Sequence, residues 1–198
     1  MKLSNAKEIV LHHEAEWTRI MSEENDKQSL IRYGMTLLVI AYALVFVFSL
    51  ISPSGMGGFI AFSTTYMITM VIVEFVIGIA SLYFIPMILA ALAPSFGGKN
   101  DALNALKLFV FAGTPSWLGM ALSKIPYIGW LPMIAGAVYA IFLFWSHVAE
   151  AMSVPAEKKV GYVVVSVLVL AVIYIVIGAI GGFIANMVSP ISYHGSMY

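Results

Sequence analysis

Between Ile31 and Val188 the chain carries five long apolar stretches almost free of charge, near Tyr33–Ile51, Phe59–Leu92, Leu103–Leu122, Ile128–Met152 and Gly161–Val188. A bilayer core about 30 Å thick is crossed by roughly 20 apolar residues in a helix. Lipid offers the backbone no hydrogen bonds, so each stretch is expected to be helical. Alternating segments of about ten residues, the mark of a membrane β-barrel, are absent. The expectation is an all-α polytopic membrane protein with five transmembrane helices, preceded by an amphipathic segment at residues 1–30. The bundle covers 31–188 and a short external tail 189–198.

Composition agrees, with 61% hydrophobic and 10% charged residues and a mean hydropathy of +0.95. A formal net charge of zero argues against nucleic-acid binding, which draws most of its affinity from a basic surface. The absence of cysteine removes disulfides and thiolate metal sites. No cleavable signal peptide is apparent, because the first 30 residues are charged and the apolar run after them is too long for one.

Basic residues set the orientation. Lys2, Lys7, Arg19, Lys27 and Arg32 precede the first stretch, Lys99 and Lys107 flank the second connection, and Lys158 and Lys159 lie in the fourth. With five spans these fall on one side and Lys124 alone on the other. The expected placement is a cell (inner) membrane, with the N-terminus cytoplasmic and the C-terminus outside.

The N-terminal segment differs from the rest. Leu3, Val10, Trp17, Ile20 and Met21 recur at helical spacing and form a narrow apolar stripe. The stripe lies either on the membrane surface or, as preferred here, on cytoplasmic loops or a partner protein. Its acidic residues outnumber its basic ones, so attraction to anionic lipid is weak. Glu8, His12 and Glu16 share a helix face and read as a solvated polar surface; no metal or other cofactor is expected.

Within the spans, Glu74 is the one deep carboxylate, and such a group is either functional or hydrogen-bonded to a hydroxyl such as Thr69, Tyr139 or Tyr174. His147 and Glu150 form an i, i+3 pair near the cytoplasmic end of the fourth stretch, expected to snorkel to headgroup water. At 1.5 Å per residue the rise along the helices keeps Glu74 and His147 apart. Pro86, Pro115, Pro126 and Pro132 are expected to kink helices two to four. Gly178, Gly181, Gly182 and Ala185 place small residues together on the last helix, a surface for close helix packing inside the protein or between copies.

Four segments together carry a resemblance. They are Glu16–Trp17–Thr18–Arg19–Ile20 with Glu23–Glu24, Phe96–Gly97–Gly98, Ala112–Gly113–Thr114–Pro115, and Val154–Pro155–Ala156–Glu157–Lys158–Lys159. In this order and spacing, over nearly the whole chain, they resemble the Ypt-interacting protein (Yip) family of five-span membrane proteins, in its short prokaryotic form. The resemblance implies five helices and a cytoplasmic N-terminus. Eukaryotic members bind Rab-type GTPases and carry long N-terminal extensions that this chain lacks, whereas short prokaryotic members are inner-membrane proteins of unassigned activity. His12, His13, Glu74, His147 and Glu150 match no motif of the family.

With no Gly-x-Ser-Gly, paired intramembrane aspartates or His-Glu-x-x-His, enzyme activity is not expected. Two function classes remain. A membrane scaffold or accessory subunit, bound to a membrane or cytoplasmic protein or to copies of itself, would tolerate Glu74→Gln and lose its partner with Trp17→Ala. A small transporter or ion or proton channel would show the reverse.

Overall fold

The computed structural model describes residues 4–23, 26–51 and 64–188, and every regular element among them is helical. Two short helices, α1 (Ser4–Leu11) and α2 (His13–Ser22), precede the long α3 (Lys27–Ile51) and α4 (Thr64–Leu92). A 3₁₀ turn (Ala93–Phe96) leads to α5 (Ala102–Ala121), α6 (Trp130–Met152) and α7 (Ala156–Val188). Leu3, Glu24, the Pro53–Gly58 connection, Phe59 and the tail with His194 lie outside the described residues.

Helix ends follow local chemistry. The Asp101 carboxylate accepts from the backbone N–H groups of Leu103 and Asn104, at 3.0 and 2.9 Å, and so caps α5. The last helix begins at Ala156, five residues before the apolar run, because Pro155 is tolerated just ahead of a first turn and Glu157, Lys158 and Lys159 continue the helix into water. Likewise α3 starts at Lys27, well before Tyr33.

Four helices are long and apolar enough to cross a membrane: Lys27–Leu50, Thr65–Phe96, Trp130–Met152 and Ala156–Val188. The fifth long helix, α5, is not among them, and its surroundings explain why. It packs against α3, α4 and α6 and against the N-terminal pair, and every residue from Ala105 to Ala112 is buried. A helix buried on all sides meets protein rather than lipid. It therefore accommodates Lys107 and Thr114, both buried, where a lipid-facing helix would not.

The α5–α6 pair is the tightest contact. A Cβ added at Gly119 would stand 2.3 Å from the Pro132 carbonyl oxygen, and one at Gly136 would stand 2.4 Å from that of Pro115. Each helix thus offers a glycine to the other's proline carbonyl, and the backbones touch. Of the four prolines expected to kink helices, only Pro86 and Pro115 lie in helix interiors. Pro126 sits in the α5–α6 connection, and Pro132 occupies the first turn of α6, where its missing N–H breaks no helical bond.

Candidate functional site

The N-terminal pair is folded onto the bundle and joins its α4–α5 and α6–α7 end. Ile9, Trp17 and Ile20 are almost fully buried, and Val10 and Met21 are partly so. The Trp17 ring stacks over His147 (centroids 4.8 Å, planes 28° apart) and tilts against Phe111 at 5.0 Å. Its indole N–H donates to Glu150 Oε2 at 2.6 Å. Tyr139 donates to the Val10 carbonyl at 3.1 Å, and Lys107 donates to that of Glu23 at 3.2 Å. Tyr139 stands about 20 Å of helix rise from the end of α6, so the arm runs down the flank of the bundle rather than across its top.

The stripe containing Trp17 and Ile20 docks on protein, as preferred above, and what covers it is the chain's own α5 and α6. Contrary to expectation, His147 does not snorkel, being 3% exposed beneath Trp17, whereas Glu150 is exposed and accepts the indole N–H. Burial of the imidazole follows from its two aromatic neighbours, since Phe111 meets it edge-on at 5.2 Å. Thr114 and Gly113, in one segment of the family resemblance, belong to the same helix as Phe111.

Asn5, Glu16, Arg19 and Glu23 form a polar network beside this core. Asn5 and Arg19 donate to the Glu16 carboxylate, and Arg19 also donates to Glu23. Burial alone would push Glu16 up, but the hydrogen bonds from Arg19 and Asn5 and the guanidinium charge hold it below the usual carboxylate range. The same bonds to Glu16 raise Arg19 above its ordinary value. Glu16 is thus turned away from Glu8 and His12, which pair with each other at 3.0 Å on the exposed face.

His13 faces inward at the start of α2. Its Nδ1 lies 3.4 Å from His147 Nε2 and 3.6 Å from Glu14 Oε1, and its ring meets Phe142 edge-on at 5.6 Å. The backbone break between α1 and α2 falls at His12 (φ −137°, ψ 50°) and gives His13 this direction. Sequence reading missed Ile9 and His13; the spacing of His13 four residues before Trp17 was the available signal.

A second site lies on the far side of α5. Glu74 borders a cavity of about 300 Å³ with Tyr42, Ser81, Ser116, Trp117 and Tyr174 around it. Among the described residues no hydrogen bond or ion pair holds its carboxylate. Thr69 and Tyr139 are committed elsewhere, to the carbonyls of Thr65 and Val10, while Tyr174 shares the cavity. Gly178 also lines it, and a Cβ there would meet nothing within 4 Å. A Cβ added at Gly181 would stand 3.3 Å from Val73 and 4.0 Å from Met70 of α4, one at Gly182 would stand 4.0 Å from the Tyr66 hydroxyl, and Ala185 is buried. Gly181 and Ala185 are thus covered by the bundle, and backbone meets backbone most closely at Gly119 and Gly136, where a side chain would leave no room for the facing proline carbonyl.

Two of the four resemblance segments, Phe96–Gly98 and Val154–Lys159, meet at one end of the bundle, whereas Ala112–Pro115 lies deeper along α5 with the Pro115 carbonyl against Gly136. The Lys99 N–H donates to the Met152 carbonyl at 2.8 Å, and a Cβ at Gly98 would stand 2.6 Å from that same oxygen. Val154 and Pro155 close over Gly98 and Gly97. A family model, the Yip1 domain, matches residues 7–180. No curated protein and no solved structure matches the chain.

Proposed function

From the premise that the chain belongs to the Yip1 domain family, we propose that this integral membrane protein is a non-enzymatic scaffold or accessory subunit that associates with a neighbouring membrane helix through α7. The observation that carries this reading is the sparse covering of α7. Only 11% of its most apolar window is buried, against 28–39% in the other three apolar helices. At 33 residues it rises about 50 Å, well beyond the roughly 30 Å of the hydrocarbon core. Leu168, Val172 and Ile175 are exposed along it. Such a face suits either lipid or a second helix.

In this reading α5 is the fifth span, enclosed by the others, and the bundle sits in a cell (inner) membrane. The clustered lysines then face the cytoplasm, the N-terminal arm reaches from that side down the flank of the bundle, and the C-terminus lies outside, in keeping with the basic-residue bias. The partner-binding role passes from Trp17 and Ile20, which the bundle itself covers, to α7.

The test is photocrosslinking in native membranes from a reactive residue placed at Leu168 or Ile175, with mass determination after gentle-detergent purification. A discrete adduct with one protein, or with a second copy of the chain, supports the scaffold. Lipid adducts alone with a monomeric mass would refute it. A transporter or channel reading is favoured by one observation, the Glu74 cavity, and Glu74→Gln in reconstituted vesicles separates the two. Loss of ion or proton flux with that variant supports transport; a scaffold keeps its crosslinks and shows no flux to lose.

A further inference from the structure

We infer that His13, Glu14 and His147 form a binding site for a divalent transition-metal ion, best suited to zinc, that fastens the N-terminal arm to α6. The ligand atoms come from two elements far apart in the chain, and all lie within 4.8 Å of one another. Zinc–nitrogen bonds of 2.0–2.1 Å at tetrahedral angles put two imidazole nitrogens about 3.3 Å apart. His13 Nδ1 and His147 Nε2 are 3.4 Å apart. That spacing is longer than a good hydrogen bond between two nitrogens, and it suits an ion held between them.

The third ligand is Glu14 Oε1, 3.6 Å from His13 Nδ1. Glu14 is mostly exposed, so its carboxylate is free to adjust and leaves a fourth position open to water. Two imidazoles and a carboxylate make a donor set that zinc accepts readily. The surroundings hold the imidazoles in place: Trp17 stacks on His147, and Phe142 and Phe111 fix the two rings edge-on. Glu150 is occupied by the Trp17 indole N–H and acts as a neighbouring negative charge rather than a ligand. The nearest lysine on α7, Lys159, lies over the Trp145 ring at 4.9 Å.

The experiment uses the full chain in detergent micelles, freed of any histidine tag, stripped with chelator and titrated with Zn²⁺ against a fluorescent competitor. The expected result is one saturable equivalent, a rise in Tm on loading, and a tetrahedral visible spectrum when Co²⁺ replaces zinc. His13→Gln should weaken binding by at least about tenfold and abolish the rise in Tm, while His12→Gln, on the exposed face, should change neither. His147→Gln is the matching variant, and His13, being partly solvated, decides the matter where burial of His147 compromises folding. No binding below about 100 μM, or identical titrations for the parent and His13→Gln, would overturn the site.

Discussion

Replacing Gly136 or Gly119 with alanine tests whether α5 and α6 are joined backbone to backbone. At Gly119 the new methyl must retreat from 2.3 Å to at least the 3.0 Å that real contacts keep, and at Gly136 from 2.4 Å. The obstructing atoms are carbonyl oxygens of Pro132 and Pro115, which no rotamer change can clear, so the helices must part by about 0.6–0.7 Å. Overpacking of this kind costs about 1–3 kcal/mol, and the helical preference of alanine over glycine returns about 0.5–1 kcal/mol. Taken at the middle of both ranges, the net loss for either variant is about 1.25 kcal/mol, or roughly 2–5 °C in Tm for a chain of this size. Gly178→Ala is the internal control: its Cβ meets nothing, so the helical preference acts alone and Tm should hold or rise by about 1–4 °C. Thermal unfolding in detergent, followed by tryptophan fluorescence, reads all three. A parent-like Tm for Gly136→Ala, or an equal fall for Gly178→Ala, would refute the close approach.

Trp17→Ala removes a nearly fully buried ring, a loss of about 3–5 kcal/mol at the arm, and limited trypsin digestion should then cut rapidly at Arg19 and Lys27; Trp17→Phe, which keeps the stack but loses the bond to Glu150, should be intermediate. Because the carboxylate of Glu16 is held below its ordinary value of 4.5, its contribution to arm docking is complete above that pH and disappears as pH falls through the lowered value. Glu16→Gln should flatten this acid dependence when digestion is done with pepsin, which works at that pH where trypsin does not, and an unchanged profile would remove Glu16 from the account. Thr114→Val strands the buried Tyr33 hydroxyl, which lies 3.3 Å from Thr114 Oγ1; the cost of about 1–3 kcal/mol should shrink when Tyr33→Phe is added, as a double-mutant cycle of Tm values will show.

Hydropathy located the long helices because lipid-facing surfaces must be apolar wherever they lie. It even bracketed α5, whose ends come from Asp101 and the turn after Ala121, although Lys107 and Thr114 lower its apolar character. Two of the four segments that carry the resemblance, Phe96–Gly98 and Val154–Pro155, do meet around Met152, Gly98 and Val154, whereas Ala112–Pro115 faces Gly136 of α6 instead. The arm was legible only in part. Helical spacing of Val10, Trp17 and Ile20 shows that a face is covered, but the identity of the cover depends on Phe111 and His147, more than ninety residues away in the sequence. The same ambiguity affected His147 and Glu150: a pair near the end of a span can reach headgroups or a folded-back arm, and only tertiary structure distinguishes these. Gly119 and Gly136 lie on either side of a turn, so no local spacing marks them as partners, whereas the visible Gly-x-x-x-Gly of α7 sits beside a cavity.

The burial of α5 bears on how the chain enters its membrane during synthesis. Lys107, Asn104 and the Pro115 break leave this helix poorly suited to partition into lipid by itself. Its nearest neighbour in the sequence, α6, is apolar enough to do so and already carries the glycine that receives the Pro115 carbonyl. In the five-span reading, insertion as a preassembled hairpin follows, with α6 drawing α5 across. A ribosome stalled before α6 emerges should then leave α5 stranded at the membrane surface, exposed to quality-control proteases until its companion arrives.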